Sequence, residues 1–121
     1  MLIEVQQSPG RGRGVFARTA IPKDTVIEVP AVLPLTQAEQ ADLAKTHLND
    51  YLFAWDDPAA PELDQVVVLG LLAMANHSGD PNTILRSRYA ERLMEWVTCR
   101  DIAAGEELTF RYRCELWFSP S

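Results

Sequence analysis

The stretch MANHSGDPNT, Met74 to Thr83, follows the apolar run VVVLGLLA and replaces it within a few residues by hydrogen-bonding side chains. His77 and Asp80 are candidate metal ligands, but together with the distant His47 they have no recognisable ligand spacing. Ser78, His77 and Asp80 do not predict a nucleophilic triad, because residues so close in sequence do not normally form the linear relay that it needs. The stretch by itself therefore leaves both a ligand site and a structural role open.

The segment before this stretch, LDQVVVLGLLAMA, has an ambiguous valine run, but its length favours a helix. We predict a helix over residues 63–75. A structural role for the polar stretch follows from this prediction. Asn76 would cap the end of the helix, and Asp80 with Pro81 would form a turn.

A second helix is predicted in TQAEQADLAKTHL, where Thr36 and Glu39 have the spacing of a capping box. The apolar residues that follow recur at helical spacing and predict one packed face: Ala41, Ala44, Leu48 and Tyr51. YLFAW then alternates aromatic residues with others, and DDPAAPE is a predicted surface loop.

Short strand-like runs occupy much of the remaining chain. MLIEV, GVFA and TVIEV are predicted strands, and TILRSRY with RLMEWVTC forms a predicted hairpin that turns near Ala90 and Glu91. One internal similarity relates AIPKDTVIEV to DIAAGEELTF through three aligned pairs: Ile21 with Ile102, Asp24 with Gly105, and Ile27 with Leu108. Each copy has an apolar anchor, a tight turn and a strand. The similarity predicts two alike corners in a mostly β, curled architecture with short helices.

The composition describes one domain over residues 1–121, with 47% hydrophobic residues, which is enough to form a core. A net charge of -6 argues against direct nucleic-acid binding, since contacts to phosphates require clustered Lys and Arg. The charge favours a basic ligand or peptide, or it serves solubility alone.

Cys99 and Cys114 are the two cysteines, too few for a four-thiolate zinc site, and we predict free thiols. The N-terminus lacks a signal-peptide pattern, and VVVLGLLAMA is shorter than the ~20 apolar residues that cross a bilayer. We therefore expect no membrane association. The predicted location is cytoplasmic, or, if the source is a pathogen or a virus, a host cell into which the protein is secreted and directed to the nucleus.

Two further motifs lie near the two ends of the chain. SPGRGRGVFA contains Gly10, Gly12 and Gly14, which leave backbone groups approachable by a ligand, although an ordinary turn has the same composition. The spacing is not GxGxxG and no long helix follows, so a dinucleotide site is not indicated. GEELTFRYR, near the C-terminus, is typical of a strand and contains Tyr112.

In this order and separation, GRGVFA, NHSGDPN and GEELTFRY strongly resemble the motifs of the SET-domain protein-lysine methyltransferases, from about Ser8 to Trp117. The resemblance implies the SET-domain (β-clip) fold of small curled sheets, in which the C-terminal segment threads under a loop as a pseudoknot. The Asn and Ser side chains of the NHS motif would satisfy polar groups that the threaded segment otherwise leaves buried. The family member implied is of the compact bacterial or viral type.

The resemblance also implies S-adenosyl-L-methionine as the cofactor and no metal. Its expected contacts are Gly12, Arg13, Gly14, Asn76, His77, Tyr112 and Trp117. The glycine-rich turn would supply main-chain contacts to the methionine part, and the Arg13 side chain either covers it or points to solvent. Asn76 would bind the amino group of the cofactor. Trp117 would pack against the adenine, with Phe118 as the competing candidate.

Catalysis would depend on two tyrosines. Tyr112 resembles the catalytic tyrosine of the family, whose hydroxyl helps to hold the transferring methyl group in line. Tyr51 matches a channel tyrosine of compact viral members and would orient the substrate amine. The substrate would be a lysine-containing basic protein or peptide, histone-like or from a host. Its lysine, with an ordinary pKa of about 10.4, must be neutral to attack, and an apolar channel favours that form.

The chain also departs from the family pattern. The cysteine-rich flanking regions are absent, so CELWFSPS or a second subunit must close the lysine channel, and a homodimer is predicted by analogy with small viral members. Leu116 replaces a second aromatic residue, which leaves the number of methyl groups open, and Arg111 replaces a common acidic residue. Two other functions stay open: a catalytically inactive SET-like module that binds a peptide or the cofactor, and a metal-dependent hydrolase that uses His77, Asp80 and His47.

Overall fold

The structure is a computed structural model that describes residues 1–111. The described chain consists mostly of short strands, which confirms the predicted mostly β class, and it also contains one α-helix and two 3-10 helices. The strands are β1 (Ile3–Ser8), β2 (Gly12–Ala17), β3 (Val26–Glu28), β4 (Ala31–Pro34), β5 (Phe53–Ala54), β6 (Gln65–Leu69), β7 (Asn76–His77), β8 (Thr83–Arg88), β9 (Leu93–Thr98) and β10 (Glu107–Phe110). The helix α1 spans Gln37–Leu43, and the 3-10 helices span His47–Tyr51 and Leu71–Met74.

The strands form two small sheets. One sheet has the order β1-β2-β10-β7, and the other has the order β3-β9-β4-β6-β5, with β8 paired to β9. Strand β10 lies between β2, to which it is antiparallel, and β7, to which it is parallel. The last described strand is therefore inserted between the N-terminal hairpin and the polar stretch that contains Asn76. The threading of the pseudoknot depends on residues from Tyr112 onward, which lie outside the described residues, so it stays a prediction.

Both hairpins form where strands were predicted. In the first, β1 pairs with β2 and Ser8 faces Gly12; in the second, β8 pairs with β9 and Thr83 faces Thr98. The first turn places Gly10 and Gly12 at φ 76°, in the left-handed region that glycine adopts without steric cost. The backbone conformation of the turn is therefore a sufficient reason for glycine at positions 10 and 12.

The predicted helix over residues 63–75 is wrong. Residues Gln65–Leu69 form strand β6 between β4 and β5, and only Leu71–Met74 are helical, in a single 3-10 turn. Val66 and Val68 are buried while Val67 between them is half-buried, which is the period of a strand. The β-branched valines fit a pleated sheet well, and two neighbouring strands supply the backbone partners that a helix would have supplied internally.

The second predicted helix is partly confirmed. Thr36 and Glu39 form the predicted capping box, in which the Thr36 hydroxyl accepts from the Glu39 N–H at 3.1 Å and the Thr36 N–H donates to the Glu39 carboxylate at 2.8 Å. The helix ends at Leu43, however, and Leu48 and Tyr51 belong to a separate 3-10 helix. No residue of α1 is buried, so no packed apolar face holds a longer helix together.

The two predicted corners are confirmed, and they pair with each other. The Ile21 N–H donates to the Ile102 carbonyl at 2.9 Å, and the Ile102 N–H donates back at 2.8 Å. Both isoleucine side chains are buried in the core. Asp24 and Gly105, which are aligned in the repeat, both have positive φ, 66° and 86°. The repeated pattern therefore encodes a repeated backbone conformation.

A chain of hydrogen bonds crosses the core between the sheets. Trp96 is fully buried, and its indole N–H donates to the Thr83 hydroxyl at 2.7 Å. The Thr83 hydroxyl in turn donates to the Thr109 carbonyl. These contacts join β9, β8 and β10, so the position of the inserted strand is coupled to one of the two buried tryptophans, Trp55 and Trp96.

Glu28 holds the short 3-10 helix that precedes the polar stretch. One carboxylate oxygen accepts from the Leu71 N–H at 2.8 Å and the other accepts from the Leu72 N–H at 2.9 Å. A side chain at Gly70 would meet this carboxylate, since a Cβ there would lie 2.8 Å from Glu28 Oε2. Glu28 and Gly70 together therefore set where residues 71–74 lie.

We expect Glu28→Gln to lower the free energy of unfolding by about 1–3 kcal/mol, because one of the two N–H groups would face an amide NH₂ in place of an acceptor. Urea denaturation followed by tryptophan fluorescence measures the change. Glu4→Gln is the control, since Glu4 pairs with Arg18 at the surface and such pairs contribute little. Equal stability of the Glu28 variant and the wild type would contradict the proposed support.

Candidate active site

A cleft of about 680 Å³ opens where the two sheets approach each other. It is lined by three short segments and the end of β10: the β1–β2 turn, residues 50–53, residues 73–77, and Phe110. Each segment reaches the cleft from a different part of the sequence. The cleft is thus a product of the way in which β10 gathers the N-terminal hairpin and β7.

The apolar part of the cleft consists of stacked rings. The rings of Phe53 and Phe110 are stacked with centroids 5.0 Å apart, and His77 meets Phe110 edge-on at 6.4 Å. Both phenylalanines are almost fully buried although they line the cleft. Tyr51, by contrast, has 39% of its surface exposed at the same cleft. The arrangement offers an apolar wall with a phenol at its open side.

Asn76 contributes a defined hydrogen-bonding group to the cleft. Its Nδ2 donates to the Arg13 carbonyl at 2.9 Å and to Glu107 Oε2 at 2.8 Å. Both of these partners are acceptors, so the chemistry requires the NH₂ group on this side of the amide. Within residues 1–111 no donor is bonded to Oδ1. Asn76 can therefore offer a ligand an acceptor and cannot offer it a donor.

Glu107 lies behind this asparagine and accepts hydrogen bonds from three donors. Its Oε1 accepts from the Ser8 hydroxyl at 2.9 Å and from Arg11 Nη2 at 3.0 Å, while Oε2 accepts from Asn76. The carboxylate is not among the residues that line the cleft. GEELTF is one of the motifs on which the family resemblance rests, but no role was predicted for this glutamate. A carboxylate at the start of a buried strand was the available signal.

The structure brings most of the sequence-predicted site residues together. Five of them line the one cleft: Gly12, Arg13, Tyr51, Asn76 and His77. Gly14 is buried and is not part of the lining, and a Cβ at Gly14 would lie 2.3 Å from Glu107 Oε2. Tyr112 and Trp117 lie outside the described residues. The direct contact of Gly14 with the cofactor stays a prediction, while its close neighbours in the structure are Glu107 and Asn76.

Asn82 is a structural residue that the sequence analysis did not identify. It is 2% exposed, and its Nδ2 donates to the Glu107 carbonyl at 2.8 Å and to Glu106 Oε2 at 3.1 Å. Its Oδ1 accepts from the Thr109 N–H at 2.9 Å. The side chain thus pairs with the backbone of β10 as another strand would. The two asparagines of NHSGDPN therefore differ. Both ends of the Asn82 amide have hydrogen-bond partners, whereas among residues 1–111 only the Nδ2 end of the Asn76 amide has them.

The alternatives for the polar stretch are decided in part by this geometry. Asn76 is not a helix cap, since it lies in strand β7 and pairs with Thr109. Among residues 1–111, no three His, Cys, Asp or Glu side chains are grouped so that they hold a metal ion.

Burial raises the pKa of the free Cys99 thiol above its ordinary value, against the opposing effect of Arg100, so this thiol is protonated at neutral pH.

Charged residues of opposite sign line two sides of the cleft, and one of them, Arg11, is paired with Glu107. Arg11 and Arg13 lie on the side of the β1–β2 turn, and Asp50 lies on the side of Tyr51. Gly12 leaves the rim open between the arginines, because nothing lies within 4 Å of the position that a Cβ would occupy.

In the part of the chain that the structure describes, no helix has the length and apolar character to cross a membrane.

Comparison with known proteins agrees with this architecture. The SET domain family matches residues 12–113 of the chain. A Schizosaccharomyces pombe protein named as a histone-lysine N-methyltransferase specific for lysine 37 of histone H3 is 34% identical over 117 residues, which cover 96% of this chain and 76% of the relative. A Plasmodium falciparum protein assigned as a histone methyltransferase has a crystal structure that matches with a TM-score of 0.69 and 22% identity, over 95% of this chain and 96% of its own.

The fold and the match over most of the chain define the class of protein. The chain belongs to the SET-domain protein-lysine methyltransferase family. The predictions of the fold class, of the family and of an enzyme that methylates lysine are confirmed.

The different uses of the two asparagines predict different variant phenotypes. We expect Asn82→Ala to lower the free energy of unfolding by about 3 kcal/mol, since buried groups of β10 lose their partners, and Asn76→Ala to lower it by about 1 kcal/mol. Urea denaturation of both variants beside the wild type measures this difference. Similar losses in the two variants would show that the proposed distinction between them is wrong.

Proposed function

We propose that the protein transfers a methyl group from S-adenosyl-L-methionine to the ε-amine of a lysine in a basic, histone-like protein. The observation that carries this proposal is the cleft in which Asn76 presents an acceptor beside the backbone of Gly12 and Arg13. The fission yeast relative is named for histone H3, and histone H3 is accordingly the first substrate to test. The homodimer and the cytoplasmic location stay predictions from the sequence.

The residues of the cleft fit such a cofactor chemically. The Oδ1 of Asn76, to which no donor among residues 1–111 is bonded, would accept from the amino group of the cofactor, and the arginine side of the cleft would face the carboxylate of the cofactor. The open rim at Gly12 leaves the backbone approachable. When bound, the cofactor supplies an activated methyl group on a sulfonium centre.

The apolar wall would prepare the substrate lysine. An ammonium group loses hydration next to buried rings, so the stacked pair of Phe53 and Phe110 favours the neutral amine that is able to attack. The Tyr51 hydroxyl at the open side would orient that amine by a hydrogen bond. The family resemblance adds Tyr112, two residues after Phe110 in sequence, as the group that aligns the methyl transfer.

The charge distribution supports a basic substrate. Seven acidic residues and one lysine lie between Glu39 and Asp64, while the rest of the sequence contains ten acidic and ten basic residues. The whole net charge of -6 is therefore concentrated in one segment. Asp50 and Tyr51 belong to this segment and line the cleft. Such a field would draw a Lys- and Arg-rich protein toward the side of the cleft where its lysine must enter.

The test is methyl transfer from labelled S-adenosyl-L-methionine to recombinant histone H3, with Tyr112→Phe as the variant. We expect the variant to lose about 100-fold in turnover, since the hydroxyl that aligns the methyl group is lost, while cofactor binding by calorimetry stays close to that of the wild type, because the ring of residue 112 is retained. Transfer to no histone by a wild-type protein that binds the cofactor would favour the inactive binding module. A folded wild type that binds no cofactor would refute the proposal.

A second prediction concerns the acidic side of the cleft. We expect Asp50→Asn to raise the KM for a basic H3 peptide about 3-fold at low salt, with kcat unchanged, because one exposed charge contributes up to ~1 kcal/mol. The difference from the wild type should shrink at high ionic strength. Asp24→Asn is the control, since Asp24 is exposed but lies outside the acidic segment and the cleft. An equal KM for both variants would count against a role for Asp50.

A further inference from the structure

We propose that Glu107 is a positioning residue that orients the amide of Asn76 and so makes the cleft selective for the amino group of its cofactor. This inference rests on the proposed function, since it concerns how S-adenosyl-L-methionine is recognised. Glu107 itself does not line the cleft, and it acts through the residue that does.

The first argument is the number and origin of the donors. Ser8 on β1, Arg11 in the turn and Asn76 on β7 all donate to the one carboxylate on β10. Ser8 is 2% exposed and the Glu107 side chain is 13% exposed, so water competes little for the bond between them, whereas the Arg11 side chain is 45% exposed. A carboxylate accepts only, and its two oxygens have room for all three donors. No other protein side chain type of this size provides that combination.

The second argument concerns the two ways in which an asparagine amide can lie. Its NH₂ and carbonyl ends have nearly the same shape, so hydrogen-bond partners alone decide which end faces which side. With the Arg13 carbonyl and Glu107 Oε2 on one side, both hydrogens of Nδ2 are engaged there. The carbonyl end is left for the cleft, where it suits an ammonium group and disfavours a carboxylate.

The third argument is the glycine that faces this contact. A Cβ at Gly14 would lie 2.3 Å from Glu107 Oε2 and 2.9 Å from Asn76 Nδ2. A side chain at this position would therefore separate the carboxylate from the amide. Arg11 strengthens the same region, since its second nitrogen donates to the His77 carbonyl at 3.4 Å. The glycine, the arginine and the glutamate thus act together on the orientation of one amide.

The experiment is a double-mutant cycle in the full-length protein. We would measure the Kd of S-adenosyl-L-methionine, and of an analogue that lacks the α-amino group, for the wild type, Glu107→Gln, Asn76→Ala and the double variant. We expect Glu107→Gln to weaken binding of the cofactor about 10-fold, because a hydrogen bond to a charged ligand group is lost, and to leave binding of the analogue nearly unchanged. In the Asn76→Ala background the Glu107 substitution should have no further effect.

Glu106→Gln is the matched control. Its carboxylate, on the neighbouring residue, accepts from Asn82 and from the Ala103 N–H and has no contact with Asn76. This variant is expected to lose stability without changing the ratio of the two affinities. A wild type that binds neither ligand would refute the proposed function itself. A wild type that binds the cofactor, together with equal losses for both ligands or additive effects in the cycle, would overturn the role of Glu107.

A measurement on the wild type keeps the test valid if Glu107→Gln does not fold. The two Nδ2 protons of Asn76, identified in an NMR spectrum by their loss in Asn76→Ala, should exchange with water much more slowly than those of the exposed Asn49. This expectation follows from their two acceptors. Exchange at the rate of Asn49 would overturn the inference.

Discussion

The insertion of β10 between β2 and β7 is the constraint on which the rest of the structure depends. A strand in this position is buried on both faces, and Leu108, Thr109 and Phe110 are all buried. In a strand, Thr109 lies on the face opposite to Leu108 and Phe110, and this second face is also covered by the protein. Asn82 makes the insertion favourable, because its amide supplies both a donor and an acceptor to the backbone of the strand.

The same insertion builds the site. Phe110 brings a ring into the cleft, and Glu107, at the other end of the strand, brings a carboxylate behind its wall. Four residues therefore connect the apolar wall of the cleft with the carboxylate that supports Asn76. Under the proposed function, the placement of this one strand would affect the binding of both the lysine and the cofactor. Every residue of β10 therefore has a contact in the core or next to the cleft.

The local patterns of the sequence were predictive where the decisive interactions are local. The capping box of Thr36 and Glu39 spans one helical turn, and both hairpins are specified by neighbouring strands and their turns. The repeat was predictive for a similar reason, because Asp24 and Gly105 mark turns that each require positive φ. The helix prediction for residues 63–75 failed because a valine run has no preference that is strong enough by itself. Its pairing with β4 and β5 decided for a strand.

The sequence by itself determined the family, the mostly β class and five residues that meet in one cleft, since these depend on short motifs whose order and spacing are visible in the chain. Only the tertiary structure decided what Gly14, Asn82 and Glu107 do. Gly14 and Glu107 are far apart in sequence, and so are Asn82 and the strand that it holds. Hydrogen bonds over such separations leave no periodic signal, because their partners become neighbours only after the sheets have formed.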